Sequence, residues 1–209
     1  MVSGEVGRGL VTIACVLRSG GDYDGEYVAR LAAGVARFCT IPHRFLCLSD
    51  CDVPCERVPL RYDWPRWWPK LELFSPTIEG DIFYLDLDSI PVGNFDQMAG
   101  FGRLGIMRDV YRPHGLQSAI MYIPQAEKAR VWSEFMTDPY ETMQHYRRGG
   151  DQAFLESLWL NSATRFQDTL PGQIVSYKKD VQPRRSVPSG ARIVAFHGRP
   201  RPRQVGWLE

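Results

Sequence analysis

The opening of the chain limits the fold more than any other stretch. Residues 10–17 (LVTIACVL) form an apolar, β-rich run that reads as a first strand. A loop, Arg18-Ser19-Gly20-Gly21-Asp22, follows. Residues 26–38 then place Tyr27, Val28, Leu31, Val35 and Phe38 at close to helical spacing. Residues 44–48 give a second strand that ends in Ser49-Asp50. Strand, helix, strand in this order predicts a right-handed crossover between parallel strands, and therefore an α/β sheet. The loop after the first strand then lies on the face where open α/β sheets bind ligands.

A third apolar run, Ile82-Phe83-Tyr84-Leu85, reads as a strand buried on both faces. It runs straight into Asp86-Leu87-Asp88. Alternation along a strand predicts that the two carboxylates point the same way. Two such groups at the end of a buried strand are costly without a cation beside them, and a divalent metal is the obvious candidate. The competing reading is a pair of loop carboxylates that cap the next turn.

Further along, Pro69 suits the first position of a helix that continues through Lys70-Leu71-Glu72-Leu73-Phe74. Residues 116–123 (LQSAIMYI) read as a strand and residues 126–136 as an amphipathic helix. Gly149-Gly150-Asp151-Gln152 opens another helix that runs to Leu160. Asp151 suits its first turn, where free N–H groups favour a carboxylate. Residues 174–177 and 193–197 read as late strands. The tail over residues 198–203 alternates Arg and Pro and is expected to be non-helical. No internal repeat or long linker divides the chain, so 1–209 is expected to be one domain.

With a formal net charge of +1, the chain is not expected to have nucleic acid or an anionic membrane as its main partner. Five cysteines, with Cys15 and Cys39 in apolar segments, suggest reduced thiols and a cytoplasmic location. Cys47, Cys51 and Cys55 recur every four residues near His43, but the spacing matches no usual zinc pattern, and structural thiols are the preferred reading. Residues 1–9 lack the apolar stretch of a secretory leader, and no run approaches the roughly 20 residues of a transmembrane helix.

Taken together, these motifs resemble the GT-A glycosyltransferases that carry a DxD motif, in particular the glycogenin and galactosyltransferase-like branch, family 8 and its relatives. Asp86-Leu87-Asp88 resembles the DxD itself. Phe196-His197-Gly198-Arg199-Pro200-Arg201-Pro202 resembles the late H-x-G-x-x-K-P segment, with Arg201 or Arg203 in place of the lysine. Lys70 stands where that branch has an arginine, Gln117-Ser118-Ala119 stands at an altered Asn-x-Gly-like segment, and Gly150-Asp151-Gln152 matches its Asp-Gln pair.

The resemblance implies a GT-A fold with a mostly parallel central sheet flanked by helices. It implies Mn²⁺ (or Mg²⁺) held by Asp86, Asp88 and His197, with the imidazole favouring the transition ion. It also implies a nucleoside-diphosphate sugar such as a UDP-sugar as donor and a glycan or other hydroxyl as acceptor. Lys70, Arg199, Arg201 and Arg203 are then candidates for the diphosphate. Arg18, Asp22, Asp86, Gln117, Ser118 and Gly198 are candidates for the rest of the donor, and Tyr23 for stacking on the base. Asp88, Asp151 and Gln152 line the reacting centre. Asp151 is a general base if transfer inverts the sugar and a holder of sugar hydroxyls if it retains configuration. Trp64, Trp67 and Trp68 offer an acceptor platform or core packing. A nucleotidyltransferase and a non-catalytic sugar-nucleotide-binding module are the other readings.

Overall fold

A computed structural model describes residues 10–207. The polar head over residues 1–9, read above as lacking a leader, lies outside the described residues. The elements are β1 (Val11–Leu17), α1 (Gly25–Phe38), β2 (His43–Ser49), β3 (Glu56–Pro59), β4 (Ile82–Leu85), β5 (Ser89–Pro91), α2 (Asp96–Ala99), β6 (Gly105–Arg108), β7 (Leu116–Ile123), α3 (Gln125–Thr137), α4 (Pro139–His145), α5 (Gly150–Trp159), β8 (Thr164–Arg165), α6 (Phe166–Thr169), β9 (Ile174–Ser176) and β10 (Ile193–Ala195).

Seven strands form the central sheet in the order β3-β2-β1-β4-β7-β6-β8. The pairs β1–β2, β2–β3, β1–β4 and β6–β8 are parallel, while β7 runs antiparallel to both β4 and β6. The sheet is thus mostly parallel with helices on both faces, as the strand–helix–strand opening predicts. A smaller sheet, β5-β10-β9, lies beside it.

β4 is buried along its whole length because it feeds two cores at once. Phe83 and Leu85 join α1 residues Tyr27, Val28, Leu31 and Val35 on one face. Ile82 and Tyr84 join Trp64, Trp68, Leu71 and Phe74 with Val131 and Phe135 of α3 on the other. Alternate side chains of one strand thereby fill both layers. α1 is started by Asp24, whose side chain accepts from the Glu26 N–H.

Several expectations are corrected. β4 stops at Leu85, and residues 86–88 form a turn closed by Ser89 N–H donating to the Asp86 carbonyl at 2.9 Å. Strand alternation therefore does not carry through the carboxylate pair. The helix expected from Pro69 through Phe74 is present, as a 3₁₀ helix over Trp68–Phe74. Its residues are all buried. The late strands end at Ser176 and Ala195; Tyr177–Val181 forms a π turn. The tail is not wholly non-helical, since Pro202–Val205 makes a 3₁₀ turn with Pro202 at its start, where no N–H is needed.

All five cysteines are free thiols, three of them buried. Among the described residues, no helix is long and apolar enough to cross a membrane.

Candidate functional site

The carboxyl ends of β1, β4 and β10 and the start of antiparallel β7 meet at one end of the sheets. Asp86 N–H donates to the Ala119 carbonyl at 2.8 Å, which sets the turn beside residues 117–119 of β7. β5 leaves that turn and pairs with β10, Ser89 opposite Ala195. Phe196 N–H then donates to the Asp88 carbonyl at 3.0 Å. This register brings the late His-Gly-Arg-Pro segment against the carboxylate pair.

Each carboxylate has its own cation. On one side, Lys70 Nζ lies 3.0 Å from Asp86 Oδ1 and 3.0 Å from Asp151 Oδ2. Ser118 Oγ donates to the same Asp151 oxygen at 2.7 Å, and Tyr84 OH donates to Asp86 Oδ1. Tyr84 lies near the end of β4, and the chain leaving the strand brings Asp86 within reach of its hydroxyl. Lys70, Ser118 and Asp151 are all buried. Burial works to lower the Lys70 pKa, but Asp151 and Asp86 outweigh it and hold the ammonium charged. Burial likewise raises the Asp151 carboxyl against the pull of Lys70 and Ser118.

On the other side, Asp88 Oδ2 accepts from Tyr23 OH at 2.6 Å and from Arg201 Nη1 at 2.9 Å. Arg201 also reaches Asp22 at 3.3 Å, and its guanidinium lies 4.8 Å from the Tyr23 ring centroid. Asp88 is buried, and burial together with the charge of Asp86 pushes its carboxyl up to about 6, against Tyr23, Arg201 and Lys70. Burial and the Asp88 charge raise the Tyr23 phenol in turn. Tyr23 is therefore a partner of the carboxylate in this structure, not an open stacking surface.

The remaining candidates flank these two networks. His197 Nε2 lies 2.7 Å from Ser176 Oγ, with the Tyr111 ring edge-on at 5.3 Å. Burial, followed by Lys178 and Lys179, lowers the imidazole pKa. Gly198 adopts a left-handed φ of 67°. Gln152 Nε2 donates to Asp109 Oδ2 at 3.2 Å. Gln117 Oε1 is buried with no hydrogen-bond partner among the described residues. Arg18 is turned away to Asp50 and Asp63, so it braces two loops. Arg199 pairs with Asp22, and Arg203 with Asp24 and Glu26 at the start of α1.

Of the three tryptophans, Trp64 and Trp68 are core residues that pack on Phe135. Trp67 is 39% exposed. Its indole lies so close to Gly150 that a Cβ there would stand 1.6 Å from Nε1. Gly150 also has a φ of 61°, so both its conformation and its missing side chain are required. Periodicity marks Trp64 and Trp68 as apolar positions; nothing in the sequence joins Trp67 to a residue over eighty positions later.

The donor types of Asp86 and Asp88 suit a hard divalent cation. Among the described residues, however, no three His, Cys, Asp or Glu side chains converge on a point able to hold a metal ion. The His197 nitrogen is engaged with Ser176, and Arg201 covers Asp88. The arrangement offers a carboxylate pair with Asp88 buried and Asp86 part-exposed, cations beside each, and an orphaned amide oxygen: acceptors for sugar hydroxyls and donors for phosphate oxygens.

No family model and no curated protein matches the sequence. Solved structures do match in fold. The glycosyltransferase GlyE of Streptococcus pneumoniae TIGR4 aligns with a TM-score of 0.64 at 13% identity, covering 91% of this chain and 55% of that one. Its apo form gives 0.66 at 12% identity, covering 92% and 56%. The chain thus spans little more than half of GlyE. Galactosyltransferase LgtC in complex with donor and acceptor sugar analogues aligns at 0.63 and 13% identity, covering 91% of this chain and 88% of that one. The fold is the GT-A fold of these glycosyltransferases.

Proposed function

We propose that the protein is a metal-dependent glycosyltransferase that moves a sugar from a nucleoside-diphosphate donor, a UDP-sugar, to a hydroxyl of a glycan acceptor. One observation carries this reading. On a GT-A fold, the Asp86/Asp88 turn, Lys70, Asp151 and Arg201 meet at the carboxyl end of the sheet, where ligands bind in open α/β folds.

Cleaving the donor leaves negative charge on the departing diphosphate. Arg201 and Arg199 lie on the tail nearest the carboxylate pair and provide N–H donors for phosphate oxygens. Lys70 adds a fixed positive charge at the floor of the site. Asp86 and Asp88 would hold the divalent cation, which supplies Lewis-acid stabilisation of the leaving group when bound. His197 would join them only after leaving Ser176.

Asp151, Ser118 and Gln117 would hold the sugar. Asp151 Oδ2 already accepts from Lys70 and Ser118, which supports a hydroxyl-binding role over that of a base. The orphaned Gln117 oxygen fits a sugar hydroxyl that would satisfy it. Trp67, the exposed member of its cluster, is the candidate apolar platform for the acceptor.

Thermal melting with Mn²⁺ and UDP tests the reading. Together they should raise the Tm of the wild type and leave Asp88→Ala unmoved. An equal rise in the variant contradicts the placement of the metal and diphosphate. Donor hydrolysis without acceptor, followed by release of UDP, separates a transferase from a module that only binds.

A further inference from the structure

A basic cluster that the donor does not account for lies beside Asp151. The turn from α4 into α5 borders a cavity of about 430 Å³, lined by His145, Arg147, Arg148 and Gly149 and by no acidic side chain. Arg147 and Arg148 are exposed, and among the described residues neither has an acidic partner. Arg66 is likewise exposed and paired with no carboxylate among them. It takes a left-handed φ of 57° and sets its guanidinium 5.6 Å from the Trp67 ring centroid. The Trp67 indole in turn lies against Gly150. Trp67 therefore joins Arg66 to the turn, and the turn runs directly into Asp151. From Arg148 to Asp151 is three steps of chain, at most about 11 Å.

The arginines of the two regions are used differently. Arg199, Arg201 and Arg203 in the tail each hold a carboxylate. Arg66, Arg147 and Arg148 hold none, and they surround the one tryptophan of its cluster that is open to solvent. We propose, on the basis of the function proposed above, that this second set selects the acceptor, and that the acceptor is a phosphorylated glycan. A sugar ring lies on Trp67, and its phosphate sits among Arg147, Arg148 and Arg66. A carboxylate is filled by a single guanidinium fork. A phosphate monoester carries up to about two charges and three terminal oxygens, enough for several arginines at once. The cluster follows Asp151 in the chain and leaves the donor diphosphate to the tail.

A glycan array with neutral, carboxylated and phosphorylated forms of the same backbones tests this without turnover. The labelled wild type should bind phosphorylated members about tenfold or more better than neutral ones. The preference should shrink as salt screens it. Arg147→Gln/Arg148→Gln should lose the preference; both side chains are exposed, so the variant should melt as the wild type does. Arg66→Asn, which suits a left-handed backbone, should weaken it several-fold. Arg44→Gln/Arg57→Gln removes the same charge from β2 and β3 and should keep it. Equal binding of neutral and phosphorylated forms overturns the proposal, and so does an absence of binding. Carboxylated forms that bind as well as phosphorylated ones, or a preference that survives Arg147→Gln/Arg148→Gln, overturn it too. UDP release from UDP-sugars by the wild type is measured in parallel. If UDP is released and the array shows no phosphate preference, the acceptor assignment alone falls. If the preference is present and no UDP-sugar is cleaved, the transferase reading falls while the phosphate site stands.

Discussion

Asp86 and Asp88 are two residues apart and chemically identical, yet their surroundings differ in kind. Asp86, its own side chain 30% exposed, joins buried partners: Lys70, Tyr84 and, through Lys70, Ser118 and Asp151. Asp88 is itself buried, but its partners are partly exposed: Tyr23 comes from the loop after β1 and Arg201 from the tail. The turn at residues 86–88 divides them: it ends strand alternation and places one carboxylate beside Lys70 and the other beside the tail. Buried partners hold their geometry more firmly than partly exposed ones, so the Lys70 side of the turn is the more rigid and the Arg201 side the more adaptable. Charge alone does not distinguish the two; burial of the partner does.

The comparison breaks most visibly at Lys70. Lys70→Met leaves Asp86 and Asp151 facing each other without their cation, and should cost about 3–5 kcal/mol in urea unfolding. Adding Asp151→Asn should recover part of that loss, because it removes one of the stranded charges. A loss below about 1 kcal/mol for Lys70→Met would show the floor to be as exchangeable as the tail.

Gly150→Ala should come next. It forces a side chain into a left-handed backbone position and against the Trp67 indole, at a cost of about 1–3 kcal/mol. Trp67→Ala in the same chain should restore the steric part only. Thermal melts of the single and double variants check this. They also show whether the start of α5, which carries Asp151, is held as rigidly as the Lys70 side requires.

Asp88 gives a pH signature. Its carboxyl is raised to about 6 by burial and by Asp86, so the folded chain holds that proton more tightly than the unfolded chain, where it titrates near 3.9. The resulting stabilisation is complete below about pH 3.9 and is lost as pH rises through about 6. Asp88→Asn stays neutral throughout. Its Tm relative to the wild type should therefore climb between pH 4 and 6 and level off above. A difference that stays flat across that window contradicts the raised carboxyl.

The smallest expected effect on stability is at the tail. Arg201→Ala should cost less than Lys70→Met, because Arg201 is 22% exposed and the raised Asp88 carboxyl can take up a proton when its cation is gone. Its UDP affinity should fall nonetheless. Differential scanning calorimetry and a UDP titration on one preparation separate the two readouts.

Much of this was legible in the sequence where physics is local. β1, β2, β4 and β7 announce themselves as apolar runs, and α1 by its spacing. β3, β5, β6 and β8 do not, because they are short or half-exposed and exist through the partners they pair with. Asp86, Asp88, Lys70, Ser118, Asp151 and Arg201 were all named as site candidates. Their pairings were not, because Tyr23 and Arg201 reach Asp88 across 65 and 113 residues of chain. His197 was named as a metal ligand; its bond to Ser176 depends on β9 lying beside β10, which no local pattern encodes. Tyr84 was missed as a site residue, because its bond to Asp86 forms where β4 gives way to a turn that the apolar run does not announce.

The most direct measurement follows the anomeric proton of a panel of nucleotide sugars by NMR, in the presence of Mn²⁺ and a glycan acceptor. The wild type should consume one donor and release its nucleoside diphosphate, while Asp88→Asn, folded by its melting curve, should not. A folded wild type that consumes no donor, or an Asp88→Asn variant that consumes it at the wild-type rate, would contradict the assignment of the carboxylate turn to the diphosphate end of a sugar-donor site.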